Sequence, residues 1–203
     1  MYYFRGYSVK IRKAQPEEAR EAAFLIHQAV GDIANILFST NTDSRIHTAL
    51  ARLFRKHNTR VSYDFIDVAE ESHALAGLAV SYPGNTIPRI NQPVFNFLQQ
   101  AYGKHASALK TNVIPILKAQ EAEMDEYYLD ALAVHPDFTG RGVGTALLKH
   151  VQKKAKRLGY TRTSLLVEKN NPRAFKLYHR LGYKKTGMVR MKNLEFDKMV
   201  KPL

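Results

Sequence analysis

The chain has 203 residues, 45% of them apolar and 24% charged, and it has no cysteine. That balance excludes a disordered tail, which carries too little apolar surface to bury. The missing thiol excludes a disulfide framework, a cysteine-ligated zinc or iron–sulfur centre and a cysteine nucleophile. Lys and Arg number 31 against 18 Asp and Glu, a formal charge of +13. Such a field attracts polyanions (nucleic acid, an anionic membrane face, a phosphate-rich cofactor) without choosing among them.

At roughly 100–200 residues per domain, the length predicts a single domain over residues 1–203, with an insertion at about 83–124. No apolar run approaches the ~20 residues of a membrane span. The start, Met1 to Lys13, mixes aromatics with Arg5, Lys10, Arg12 and Lys13 and lacks the apolar core of a signal peptide. The expected location is therefore cytoplasmic, with no membrane partner.

In chain order, Val9 and Ile11 alternate with polar residues as a short opening strand. Pro16 suits a helix start, followed by Ala19, Ala22, Ala23, Ile26 and Val30 at helical spacing. A second amphipathic helix begins at Asp43 or Ser44, either able to cap it, with Ile46, Leu50, Leu53 and Phe54 as its stripe. Phe65 to Glu70 and Leu75 to Tyr82 read as strands around the turn Glu71-Ser72-His73. From Pro83 to Met124 the chain is irregular, punctuated by Pro83, Gly84, Pro88 and Pro93, and a helix fits within Val94 to Leu109. Tyr127 to Val134 is an apolar strand ended by His135-Pro136. Next come the glycine loop Gly140-Arg141-Gly142-Val143-Gly144 and a helix with Val143, Leu147, Val151, Ala155 and Leu158 on one face, ended by Gly159. Thr163 to Val167 is the next strand. Asn171 caps a short helix that starts at Pro172 and stops at Gly182, and Tyr183–Met191 with Phe196–Val200 make a terminal strand pair. This order predicts an α/β fold with at least one parallel strand pair.

A strand that runs into a glycine turn and a helix makes an anion site. The first helical N–H groups lack partners, and the dipole adds about half a positive charge there. Arg141 supplies a fixed charge suited to phosphate oxygens. A P-loop needs Gly-Lys-Ser/Thr, but Gly144 is followed by Thr145 and Ala146. A dinucleotide fingerprint needs a third glycine one residue later than Gly144, although Glu168 stands where a ribose-binding acid would. A turn that merely tightens the helix start is the plain alternative.

More of the chain joins a third reading. Leu132-Ala133-Val134-His135-Pro136, the stretch Gly140 to Leu148, Asn171-Pro172-Arg173-Ala174-Phe175-Lys176-Leu177-Tyr178 and Leu181-Gly182-Tyr183 together resemble the GNAT superfamily of acetyl-CoA-dependent N-acetyltransferases. The likeness is close over about residues 127–190 and holds only in element order before that. It implies a central mixed, splayed β-sheet with helices on both faces, and acetyl-CoA as acetyl donor with no metal. It implies that the backbone edge at Leu132, Ala133 and Val134 pairs with the pantetheine arm and that Gly140, Arg141, Gly142, Val143, Gly144 and Thr145 wrap the pyrophosphate. Asn171 then contacts the cofactor arm, and Tyr178 protonates the departing thiolate. The chain departs from the family at Thr139, where Gln or Arg is usual, which removes one phosphate contact. A tyrosine hydroxyl near its ordinary pKa of ~10 can give a proton to a thiolate; the plain alternative is a core tyrosine packed between Ala174 and Leu181.

An amine acceptor must lose a proton, and a carboxylate or a water held by one is the usual solution. By strand parity Asp130 shares a face with Tyr128, Leu132 and Val134, which makes it the first candidate base, with Glu126 second. Bridging to a neighbouring strand is its plain alternative. The acidic run Glu121, Glu123, Asp125 and Glu126 would draw a cationic amine or be a solvated turn. Phe95, Phe97 and Tyr102 line a pocket or pack the insertion onto the sheet. The eight histidines show no ligand spacing. Without cysteine, direct attack by the amine in a ternary complex is the expected route. The acceptor, a small molecule or a protein or peptide amine, is not legible, and a homodimer is an admissible assembly. The rival functions are a catalytically silent acyl-CoA sensor and a basic nucleic-acid-binding protein. The second is favoured by the charge and by Tyr2, Tyr3, Phe4, Arg5 and Tyr7, and disfavoured by the scatter of its cations and the lack of a nucleic-acid motif.

Overall fold

The computed structural model describes residues 2–4, 7–103 and 105–203, with the side chains of 2–8 and 106 left aside. The aromatic–basic start from Tyr2 to Tyr7 therefore lies outside the described side chains. The strands are β1 (Tyr2–Phe4), β2 (Tyr7–Lys13), β3 (Ile66–Glu71), β4 (Ala74–Pro83), β5 (Tyr127–Val134), β6 (Arg162–Glu168), β7 (Lys184–Met191) and β8 (Leu194–Pro202). They form one sheet in the order β1-β2-β3-β4-β5-β6-β8-β7. Its pairings are antiparallel apart from β5 with β6, which is parallel. The α/β reading with a parallel pair holds.

Helices cover both faces. On one, α1 (Ala19–Val30), α2 (Asp32–Phe38), α3 (Asp43–Phe54) and α4 (Ile87–Tyr102) close over Ile66, Val68, Leu78, Val80, Tyr82 and Tyr128. On the other, α7 (Val143–Arg157) and α8 (Pro172–Arg180) pack on Ala76, Ala79, Tyr127, Leu129, Leu165 and Met199. Pro16 opens a 3-10 turn over Pro16–Glu18 ahead of α1, and the Gln15 amide donates to the Glu18 carboxylate at 2.7 Å, a reciprocal cap. In α3, Thr42 stands at the cap without a side-chain cap bond, so Asp43 lies in the first turn rather than before it. Leu158 falls just past the end of α7 and is 54% exposed, so it leaves the buried face the periodicity gave it.

The 83–124 stretch runs from the last residue of β4 toward β5, its antiparallel neighbour. It is far more regular than its prolines suggest. Helix α4 begins at Ile87, seven residues ahead of the expected Val94, because Pro88 falls in the first turn, where a missing N–H costs nothing. Pro93 is carried inside the helix. Gly103 ends α4, and α5 (Ala106–Ala108), a π-helical turn (Leu109–Val113) and α6 (Ile114–Leu117) follow. Ile90, Val94, Leu98, Leu109 and Val113 join the same core as α1 and α3, so the insertion is part of the domain's packing. Phe95 and Phe97 pack against this core, and the Tyr102 hydroxyl donates to the Ile36 carbonyl at 3.2 Å.

Two features of β5 open the sheet at its centre. Val80 faces Ala131 while Ser81 faces Leu129, so Asp130 is an extra residue, a bulge. Pairing to β6 covers Tyr127, Tyr128 and Leu129 and then ends, while β6 continues along β8 to Glu168. The two central strands therefore diverge beyond the bulge.

One buried charge cluster ties the sheet to α7. Asp67 is 3% exposed and accepts from Lys154 at 2.7 Å, with Lys13 at 3.4 Å and His150 at 3.7 Å. Burial alone would raise its carboxyl, but His150, Lys154 and Lys13 outweigh that and hold it well below the ordinary range. A depressed carboxyl contributes stability above its unfolded value near ~3.9 and loses it as the pH falls through the folded one. Asp67→Asn should cost about 3 kcal/mol at neutral pH, the lower end for a broken buried pair. At roughly 2–4 °C per kcal/mol that is a Tm lower by about 6–12 °C. Thermal melts from pH 7 to pH 2 should show the gap between variant and parent closing in acid.

Candidate functional site

The divergence of β5 and β6 opens a cavity of about 290 Å³. Its walls combine the strand ends (Leu129 to Leu132, Leu166 to Glu168) with Asn171, Ala174 and Tyr178 of the α8 region. Apolar side chains of α1, α2 and α3 complete it, among them Ile26, Leu37, Leu50 and Leu53. Asp130, Leu132, Asn171 and Tyr178 thus line one cavity.

Tyr178 is 8% exposed, its ring edge-on to Tyr183 at 6.1 Å. Burial, followed by the neighbouring Tyr183, raises its hydroxyl, which stays protonated at neutral pH. It forms no hydrogen bond with a described residue, although it lines the cavity. The tyrosine is thus packed in the core through its ring and available at its tip. Asn171 caps α8, its side-chain oxygen accepting from the Ala174 amide at 3.0 Å.

Asp130 is not an isolated base. Arg60, from the segment between α3 and β3, donates to it through Nη2 at 2.6 Å and Nε at 3.2 Å. The same guanidinium grips Glu121 with two bonds of 2.6 Å and reaches Asn91 at 3.5 Å. The Tyr128 hydroxyl donates to Glu121 at 2.9 Å. Burial works against the Arg60 charge, but Asp130 and Glu121 outweigh it and raise its titration further above neutrality. The bulge also corrects the parity argument. Tyr128, Ala131 and Ala133 face the α1–α3 core, while Leu132 and Val134 pack toward α7, so Asp130 does not share one face with Tyr128, Leu132 and Val134.

The acidic run divides. Glu121 enters the cavity wall, whereas Glu126 is 2% exposed, 3.2 Å from Lys198, and accepts from the Glu123 amide at 2.8 Å. Glu123 pairs with Lys198 at 3.0 Å, and Asp125 pairs with Arg162. Glu126, the second candidate base, therefore lies outside the cavity as a bound structural carboxylate.

From the cavity, the edge of β5 unpaired by β6 leads through Leu132, Ala133 and Val134 to the glycine loop. Gly140 and Gly142 both have φ +84°, a conformation glycine adopts freely. Gly142 caps α7, and Gly144 sits where a Cβ would meet the Val134 side chain at 3.4 Å. The amides of Gly142, Val143, Gly144 and Thr145 have no acceptor among the described residues, so the helix start presents a set of free donors. Arg141 differs from expectation: its guanidinium donates to Glu71 at 3.1 Å and lies 5.0 Å over the Phe138 ring, which turns its charge toward the end of β3. The loop's capacity for an anion rests on backbone N–H groups and the helix dipole.

Arg60 and the lining residues of α2 escape sequence reasoning. Arg60 carries no local pattern and becomes meaningful only beside Asp130 and Glu121, 70 and 61 positions away. Helix α2 is seven residues long and follows Gly31, too short for a periodic signal.

Comparison with known proteins identifies the same fold. Residues 32–183 match the acetyltransferase (GNAT) family. An uncharacterized N-acetyltransferase of Methanocaldococcus jannaschii is 37% identical over 75 residues, covering 37% of this chain and 31% of that relative's length. A crystal structure of an acetyltransferase shares 27% identity with a TM-score of 0.71, over 95% of this chain and 98% of the other. An N-acetyltransferase from Staphylococcus aureus Mu50, 23% identical, superposes with a TM-score of 0.77 over 94% and 99%. A PaiA N-acetyltransferase from Thermoplasma acidophilum, solved in complex with coenzyme A, is 15% identical, with a TM-score of 0.55 over 97% and 99%.

Replacing Arg60 with Gln strands Glu121 and Asp130 as buried, unpaired carboxylates, a loss of about 3–5 kcal/mol. Because protonation relieves that burden, the deficit should be larger at pH 8 than at pH 5. Urea midpoints at the two pH values check both the size and the direction.

Proposed function

Because this chain belongs to the acetyltransferase (GNAT) family, we propose that it transfers the acetyl group of acetyl-CoA to a primary amine by direct attack in a ternary complex. The observation that carries this reading is a continuous path. It runs from the free amides of Gly142 to Thr145, along the unpaired edge of β5, to the cavity bordered by Tyr178 and Asp130. A diphosphate suits the loop, an extended amide-bearing arm suits a strand edge, and a thioester at the arm's end reaches the cavity. The coenzyme A complex of the Thermoplasma relative is consistent with this use of the fold.

The chemistry needs three things from the protein. It holds the thioester and the amine together, which removes the entropic cost of their meeting. The incoming ammonium sheds a proton to water or to Asp130, whose two oxygens are each engaged by Arg60 and keep further lone pairs for a donor. The amine lone pair then attacks the thioester carbonyl carbon, a C–N bond forms and the C–S bond breaks. The leaving sulfur takes up the electron pair and receives a proton from the Tyr178 hydroxyl. The amide nitrogen releases its surplus proton, which restores the tyrosine through solvent. The sum is ammonium plus acetyl-CoA giving acetamide, free CoA thiol and one proton.

Acid catalysis of this kind is worth roughly a hundredfold or more. Tyr178→Phe should lower kcat by about that factor while leaving acetyl-CoA affinity nearly unchanged. Release of free CoA and calorimetric titration measure the two quantities. Undiminished turnover would remove Tyr178 from the acid role.

A further inference from the structure

The cavity carries more information about the acceptor than the fold does. Three carboxylates line it, Glu121, Asp130 and Glu168, and Arg60 is the one Lys or Arg among the described lining residues. This local excess of negative charge occurs in a chain of net charge +13. An entering ammonium is therefore drawn to this cavity by charge complementarity.

Arg60 cannot serve as a hook for an acceptor carboxylate. A guanidinium has five N–H donors, and here all five are committed: Nε and Nη2 to Asp130, Nη1 and Nη2 to Glu121, and the second Nη1 hydrogen to Asn91. A carboxylate brought into the cavity would meet three like charges and no free cationic donor. The carboxylates themselves are not saturated. Each oxygen of Asp130 is engaged once by Arg60, so lone pairs remain for an N–H of the acceptor.

Most of the rest of the wall is apolar, with Gln28 and Asn171 as neutral polar members. Ile26 comes from α1, Leu37 from α2, Leu50 and Leu53 from α3, Val94 from α4 and Ile116 from α6. A second ammonium lying against these side chains, away from the three carboxylates, would have to shed its water without a partner. An alkyl or aryl body gains by the same burial. The Tyr178 hydroxyl, without a hydrogen-bond partner among the described residues, borders this space and marks where the reacting centre lies.

Building on the transferase reading, we propose that the acceptor is a small lipophilic monoamine. It is an arylalkyl or branched-alkyl primary amine without a carboxylate, its nitrogen received by Asp130 and its apolar body lying against α1, α2 and α3. The selectivity is as much exclusion as attraction: the committed Arg60 and the three carboxylates reject amino acids, and the apolar wall rejects polyamines.

The test compares 2-phenylethylamine, L-phenylalanine, spermidine and a short peptide with a free N-terminus, each with acetyl-CoA, by the appearance of free CoA. The kcat/KM for 2-phenylethylamine should exceed that of each of the others by roughly a hundredfold or more, the scale on which a site rejects a group it cannot pair. Ala34, 1% exposed and on the cavity wall, offers a second arm. Ala34→Leu should lower kcat/KM for 2-phenylethylamine roughly tenfold, the order a misfit of a few methylene groups produces, with acetyl-CoA affinity unchanged. The milder Ala34→Val should give an intermediate loss if the larger side chain impairs folding. Equal or better turnover of the amino acid, the polyamine or the peptide would overturn the proposal. So would turnover of none of the four by protein that binds acetyl-CoA in calorimetry. Protein that is folded and binds no acetyl-CoA would instead defeat the transferase reading, and this inference with it.

Discussion

The arrangement depends on where the parallel pairing of β5 and β6 stops. Three residue pairs hold the strands together, from Tyr127↔Thr163 to Leu129↔Leu165, and the next residue, Asp130, is a bulge against β4. A bulge bends its strand and increases the local twist. Beyond it β5 remains bonded to β4 and β6 to β8, so each strand is supported on its outer side while the inner edges part. Backbone groups left unpaired between strands are costly unless water or a ligand takes them. An open slot in the middle of a sheet is tolerable here because both flanking strands are otherwise fully paired.

The same residue that opens the slot furnishes its charge. Asp130 turns toward Arg60, and Arg60 binds Glu121, which in turn accepts from Tyr128. Burying two carboxylates and one guanidinium is expensive, and the attraction among them offsets that cost only because their hydrogen bonds are so nearly complete. A well-packed apolar replacement could serve stability as well. What the ionic arrangement adds is a fixed, negative cavity floor inside a protein whose surface field is positive. The two fields suit two different ligands: the general surplus of cations attracts a polyphosphate, and the local surplus of carboxylates attracts an ammonium ion.

The last third of the molecule was legible because its signals are local. The glycine loop, the Asn171–Pro172 helix start and the apolar strand Tyr127–Val134 are each written within a few residues, and the strand and the two helices form at those positions. Tertiary constraints decide the rest. A period-two reading of β5 fails at a bulge, which leaves no mark in the pattern of apolar residues and appears only in the register with β4. The prolines of the insertion suggested irregularity, yet Pro88 lies in a first turn and Pro93 is borne by a helix buried along Ile90, Val94 and Leu98. Arg141 donates to Glu71, 70 positions earlier, a contact that no local pattern announces. Glu126 had the right parity and proximity to be a base, but Lys198 holds it elsewhere.

The central claim is that the loop amides and the open edge of β5 together receive one extended ligand. Amide hydrogen exchange of the protein with and without acetyl-CoA tests it most directly. Slowed exchange should be confined to two stretches, residues 142–145 at the start of α7 and residues 131–134 on β5. Protection that falls elsewhere, or no protection under saturating ligand, would contradict it.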